Sequence, residues 1–280
     1  MFFGRKSDSM TDVRPDDLGA GGTDPLTVDR EERATRLAGV FELQLRFATR
    51  MAELTGAPLG EMVVRHTNLH RRFGLGRISR GVSPAWAPYA EGLESLTRLE
   101  DRVALTQRTF IDAPPEVVPG PGRTAFGCFA CDDSASPEGA VQIHFRNADT
   151  DATGGPLSPE KLPRRRGEMA ALVAHIRATQ PEATHIRGRS WLYNLPAYRR
   201  VFPTVYGDTC RLIAPEPVSL DGNSLWGQAI TAGEQVRPDV RDAILAALAA
   251  LDPASPWEAF PFQVLATRAP LESFEAFYRA

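Results

Sequence analysis

Residues Thr184–Pro203 read THIRGRSWLYNLPAYRRVFP, and the period of the pattern changes halfway along. From Thr184 to Ser190 the side chains alternate. Ile186, Gly188 and Ser190 fall on one side of an extended chain and His185, Arg187 and Arg189 on the other, the period-two signature of a strand. After Ser190 the alternation stops. Pro196 suits the first turn of a short helix running from Asn194 or Leu195 to Phe202, because a first turn leaves that N–H unpaired anyway. The stretch is thus a strand whose C-terminal end runs into a turn and a helix, where open α/β sheets bind ligands.

Upstream, Ser158 and Pro159 read as N-cap and first helical residue, and Leu162, Met169, Leu172, Val173 and Ile176 carry a helix to Pro181. Before it, Ala140–Asn147 (AVQIHFRN) alternates again, with Val141, Ile143 and Phe145 on one face and Gln142, His144 and Arg146 on the other. A strand-helix-strand unit makes its two strands parallel, with a right-handed crossover. The crossover helix must cover the apolar face, so both polar rows look out on the opposite side of the sheet. Thr124–Asp132 (TAFGCFACD) reads as one strand, paired as a hairpin with Ala140–Asn147. Downstream, Thr209–Ala214, Leu225–Thr231 and Pro261–Ala266 read as strands, and Pro238–Leu251 and Leu271–Tyr278 as helices.

The N-terminal part has a different texture. Residues 1–27 carry Asp, Gly, Pro, Ser and Thr with little apolar spacing and are expected to be disordered. From Asp29 an amphipathic helix is predicted through Leu54, a second from Leu59 to Phe73, and a third from about Pro84 to Leu105. Pro114, Pro115, Pro119, Gly120, Pro121 and Gly122 form a linker. The expected organisation is a disordered segment 1–27, a helical region 28–113 and a mixed α/β region 124–280 packed with the helices as one domain. The fold class is α+β or mixed α/β, N-terminal helices followed by a mixed sheet with a strand-helix-strand crossover.

A net charge of −3 over 280 residues is not the basic balance of a nucleic-acid binder. No apolar run approaches the roughly 18 residues of a membrane span, and the N-terminus MFFGRKSDSM lacks the apolar core of a signal peptide. A cytoplasmic protein with neither nucleic-acid nor membrane partners is expected. Three cysteines, Cys128, Cys131 and Cys210, are too few and too odd for a disulfide framework.

Chemistry concentrates on the two polar rows. Between Lys161 and Arg200 nine Lys and Arg face two acids, Glu168 and Glu182, a local excess that attracts an anion. The start of the crossover helix, after Gly154 and Gly155, is a second candidate anion site. The substrate-binding set is Gln142, Arg146, His185, Arg187 and Arg189, with Ser190, Trp191, Tyr193 and Asn194 shaping a pocket at the turn; the alternative for each aromatic is plain core. His144 is the candidate general base, since an imidazole titrates near neutral pH. The CxxC of Cys128 and Cys131 reads as two small buried hydrophobes, and no metal is expected. Two minority cation sites are the His66, His70 pair and the aspartates Asp132, Asp133, Asp149 and Asp151.

This layout resembles the GNAT acyltransferase fold over about residues 124–215, and Asn194-Leu195-Pro196-Ala197 is similar to that family's N-x-x-A after its fifth strand. The resemblance implies an acyltransferase using acetyl-CoA or another acyl-CoA. Coenzyme A would lie between the two parallel strands, its pyrophosphate at the start of the crossover helix. A tyrosine in the following segment, Tyr198 or Tyr206, would be the acid that protonates the leaving thiolate. The function expected is that of a transferase-type enzyme acting on an anionic small molecule. The alternatives are a non-catalytic anion- or partner-binding module and a metal-dependent hydrolase.

Overall fold

The computed structural model describes residues 25–114, 122–149, 154–213, 220, 225–231 and 233–279. Most of the expected lead-in, most of the proline linker and Asp151 lie outside them. Helix α1 (Pro25–Thr55) begins four residues before Asp29 and ends where Gly56 turns to φ 71°. Leu37, Val40, Phe41, Leu45 and Phe47 are fully buried, and so is Gln44. The buried surface is therefore wider than one stripe, because α1 is packed by α2 (Leu59–His66), α5 (Leu99–Asp112) and α9 (Pro238–Ala247).

Two expected helices each prove to be two. Thr67, at φ −123° and ψ 174°, separates α2 from the single turn α3 (Leu69–Arg72). Leu96 is extended between α4 (Ala87–Ser95) and α5. There the guanidinium of Arg102 donates to the carbonyls of Leu93 and Leu96, supplying the hydrogen bonds that a continuing helix would have given.

The sheet has six strands in the order β1-β2-β3-β4-β6-β5. They are β1 (Arg123–Phe126), β2 (Phe129–Asp132), β3 (Ala140–Phe145), β4 (His185–Ser190), β5 (Arg211–Leu212) and β6 (Leu265–Pro270). As expected, β3 and β4 are parallel and joined through α6 (Leu162–Thr179), and β2 and β3 are antiparallel. The rest departs in detail. Thr124–Asp132 is itself a hairpin: Phe126 pairs with Phe129 across the loop Gly127–Cys128, where Gly127 takes φ 58°. Leu225–Thr231 is a 3-10 turn, Leu225–Ala229, plus the single bridge Ile230 to Val236, since its apolar residues are buried all round rather than on one face. The last strand starts four residues later than Pro261 and runs straight into α10 (Leu271–Arg279).

Helices α6 and α10 pack on each other and on one side of the sheet. Between them lie Cys131, Val141, Ile143, Ile186 and Ala269 from the strands and Met169, Leu172, Ile176 and Phe274 from the helices. A second core joins α1 to α5 with Leu220, Trp226, Val240, Ile244, Phe260 and Val264. The Trp191–Asn194 turn, followed by the short helices α7 (Pro196–Arg199) and α8 (Thr204–Asp208), lies between the two: Trp191 belongs to the helical core and Tyr193 to the sheet core, and Leu192 and Leu195 pack against both.

Candidate functional site

The open side of the sheet is built by strand alternation and register alone. Gln142 of β3 is the partner of Arg187 of β4, and Arg187 is the partner of Arg268 of β6. One step along, Arg189 pairs with Ala266, whose other neighbour is Arg211 of β5. Helices α6 and α10 occupy the opposite side. These residues, with His185, line an open groove of about 1040 Å³. Arg187 lies low in it, its Nε buried without an acceptor among the described residues. The nearest carboxylate influence is that of exposed Glu138, whose pKa is lowered by its hydrogen bonds to Ser136 and its own backbone and, to a lesser degree, by Arg187 and Arg268. Arg268 itself donates to the backbone carbonyl of Glu138.

His185 accompanies the arginines at the rim. Its ring meets the Thr184 hydroxyl at 2.9 Å, and burial first, then the charge of Arg268, pushes its pKa below the ordinary imidazole value. His144 stands on the same side of the sheet, outside the groove lining. Its Nε2 is 2.8 Å from Oδ1 of Asp132, which also accepts from Nε of Arg123 at 3.1 Å. Burial would raise the Asp132 carboxyl, but the hydrogen bonds and charges of His144 and Arg123 hold it below the usual range. With Nε2 taken by Asp132, Nδ1 is the nitrogen of His144 left to exchange a proton.

The other expected site residues are placed differently. Arg146 lies past the end of β3, its N–H donating to the carbonyl of Cys128, and does not line the groove. Ser190 caps the following turn by accepting from Leu192 N–H. Asn194 donates to the carbonyls of Trp191 and Gln263, tying the turn to the segment before β6. Trp191 stacks on Phe262, and Tyr193 meets Tyr206 hydroxyl to hydroxyl at 2.8 Å. Tyr198 is 2% exposed among Phe129, Phe145, Tyr193 and Phe202, and burial raises its pKa well above the phenol range. The turn is therefore packed into the cores, and Tyr198 does not line the groove. Gly188 belongs to the same packing, since a Cβ there would stand 1.9 Å from the Tyr193 hydroxyl.

Most of the basic excess is also internally matched. Asp149 accepts from Lys161 at 2.9 Å and from Arg165 at 2.7 Å, and Arg164 approaches at 3.3 Å. Burial alone would raise the Asp149 carboxyl, and those cations hold it low. Arg177 pairs with Glu275, Arg199 donates to the Tyr193 carbonyl, and Arg200 to that of Leu157. Of the nine cations, Arg187 and Arg189 remain on the open side.

The residues at the start of α6 do not fit a pyrophosphate. The side chains of Lys161, Arg164 and Arg165 are already turned to the carboxylate of Asp149, and the chain in that place reads GGPLSPEKLPRRRG, 154–167.

The minority metal residues are likewise engaged. His70 meets the Gly76 carbonyl and accepts from Ser83 N–H, His66 is buried, and Asp133 accepts from Thr124. Cys128 and Cys131 are free and buried.

Sequence reasoning missed Arg211 and Arg268. The signal for Arg268 was present in the alternation of LATRAP, which continues past Ala266. Comparison of the chain with protein-family models, curated proteins and solved structures finds no match. No helix among the described residues is long and apolar enough to cross a membrane.

Proposed function

We propose that the protein binds an anionic small molecule on the open side of its sheet and acts on it as a transferase-type enzyme, within a GNAT-like class of fold. The observation that carries the reading is the set Arg187, Arg189, Arg211 and Arg268, none of which pairs with a carboxylate among the described residues. Elsewhere in the same region Lys161, Arg164, Arg165 and Arg177 do. Like charges on adjacent strands repel, so this arrangement is more stable with an anion present than without one. The GNAT-like reading is supported by the strand order and by the single parallel pair bridged by α6. It is supported too by the separation of β3 from β4, whose pairing stops at Ile143 and Gly188 while β4 stays with β6 to Ser190.

In this reading the arginines hold and orient the substrate anion. His144 takes a proton at Nδ1 while Asp132, kept ionised by Arg123, fixes the ring and stabilises the imidazolium that forms. The fit of Asp149 at the start of α6 argues against a coenzyme A pyrophosphate there, so an acyl-CoA is not given a role. A second reading, anion binding without chemistry, is favoured by the burial of Tyr198, which removes the expected acid.

The test is thermal unfolding with inorganic phosphate, sulfate and simple carboxylates, because a ligand of the native state alone raises apparent stability. At least one anion should raise the midpoint in a saturable way, and Arg187→Gln with Arg268→Gln should abolish the shift. Equal shifts in wild type and variant would overturn the reading. Once a turned-over substrate is found, His144→Ala should leave binding intact and remove turnover; unchanged turnover would leave only the second reading.

A further inference from the structure

The four arginines are not evenly spread. Arg187 and Arg268 are direct cross-strand partners. Arg189 and Arg211 flank Ala266 from either side, and the small methyl between them leaves the floor open to a ligand. The two pairs are separated by one strand repeat, two residues or roughly 6.6 Å along the strand. The residues between them, Gly188 and Thr267, belong to the opposite side by alternation: Gly188 faces the Tyr193 hydroxyl, and Thr267 bonds the Tyr206 carbonyl. The strip separating the pairs therefore carries no side chain on the groove side.

We propose that this groove recognises a small molecule carrying two anionic groups on a spacer, one group held by Arg187 and Arg268 and the other by Arg189 and Arg211. The inference rests on the anion-binding reading and adds to it the number and separation of the charges. Two observations favour two groups over one. A single anion at Arg187 and Arg268 would leave Arg189 and Arg211, one on each side of Ala266, without a counter-charge among the described residues. Moreover, the carboxylate of Glu138, whose charge couples to Arg187 and Arg268, is no substitute, since it is exposed and already accepts from Ser136 at 2.7 Å. Planar guanidinium groups in pairs suit phosphate or carboxylate oxygens, which they bind through two parallel hydrogen bonds. Gln142 and His185 at the edge add donors for polar atoms of the spacer.

Calorimetric titration of the full chain decides the matter. The probes are inorganic phosphate, methylenebisphosphonate, a bisphosphonate on a four-methylene tether, and a short single-stranded oligonucleotide. The tethered bisphosphonate should bind at least about tenfold more tightly than phosphate, because the second contact becomes intramolecular, and the short bisphosphonate should fall between. Arg187→Ala with Arg268→Ala, and separately Arg189→Ala with Arg211→Ala, should each bring the tethered probe down to the level of phosphate. Circular dichroism would show that these groove variants stay folded. If phosphate binds as tightly as the tethered probe, the anion site stands and the two-group inference falls. If no probe binds, both fall. If the oligonucleotide binds most tightly, the ligand is not a small molecule and the inference is overturned.

Discussion

At the scale of single residues, burial decides what each titratable group can do. His66 and His70 are spaced like a metal pair, yet His70 spends both ring nitrogens on backbone groups, and His66 is 2% exposed with no partner for Nδ1 among the described residues. Burial first, then the charge of Arg65, lowers the His66 pKa to about 4. The sign follows from proton binding. Between the unfolded value near 6.5 and the folded value near 4, the unfolded chain takes a proton that the folded chain refuses, so stability falls as pH drops through that window. Each pH unit costs up to about 1.4 kcal/mol, roughly 3 kcal/mol by the low end of the window. Urea midpoints measured at pH 7.5 and pH 4.5 should therefore differ by less in His66→Leu than in wild type; an unchanged difference would show that the imidazole is not protected. Sequence alone could pair His66 with His70 by helical spacing, but what surrounds His66 comes from Trp226, whose indole N–H donates to the His66 carbonyl from 160 residues away. Tyr198 teaches the same lesson, since aromatic residues at a turn look identical in sequence whether they line a cavity or fill one.

At the scale of elements, period-two alternation was legible wherever one side of a strand is buried. AVQIHFRN and THIRGRS gave the parallel pair, its shared polar side and its covering helix. Legibility failed where no polar residue marked a boundary. TAFGCFACD hides a hairpin because its loop is only Gly127 and Cys128, and a positive φ at the first loop position is what glycine supplies there. A Cβ at Gly127 would also stand 2.1 Å from the Glu168 carboxylate, which accepts from Cys128 N–H at 3.0 Å. Helix α6 is thus fastened at its first turns to the β1–β2 loop by Glu168, and to the end of β3 by Asp149. The count of nine cations against two acids leaves this fastening out because the partner, Asp149, precedes the counted stretch and lies in a loop whose Asp residues serve turn geometry as readily. Asp149→Ala should cost roughly 3 kcal/mol, because it removes the buried carboxylate that both Lys161 and Arg165 meet and leaves Arg165 to Glu168. Denaturant unfolding would measure the loss, and Lys161→Met added to the variant should restore part of it. A loss well under 1 kcal/mol would mean that water already compensates these groups.

At the scale of the whole molecule, the described residues form two hydrophobic cores, the helical one taking in Leu220, Trp226, Val240 and Phe260 from the C-terminal part of the chain, and the open groove exists because neither core covers the polar side of the sheet. What the sequence could not show is how the two are joined. The stretch THIRGRSWLYNLPAYRRVFP supplies both the joint and two of the four groove arginines, Arg187 and Arg189, since the turn after Ser190 sends Trp191 into one core and Tyr193 into the other, with Leu192 and Leu195 touching both. Natural probes separate the cores. All four tryptophans, Trp86, Trp191, Trp226 and Trp257, lie in or against the helical core, and four of the five tyrosines, Tyr193, Tyr198, Tyr206 and Tyr278, lie in or against the sheet core, Tyr89 belonging to the helical one. In wild type, unfolding followed by tryptophan fluorescence and by tyrosine absorbance should coincide, as a single cooperative unit requires. Leu192→Ala combined with Leu195→Ala should lower stability by roughly 4 kcal/mol, from about 2 kcal/mol for each truncated leucine, and should draw the two transitions apart. Tryptophan and tyrosine signals that still coincide in the double variant, at a lower denaturant midpoint, would show that the remaining packing between α1, residues 225–264 and β6 is enough to couple the cores without the turn.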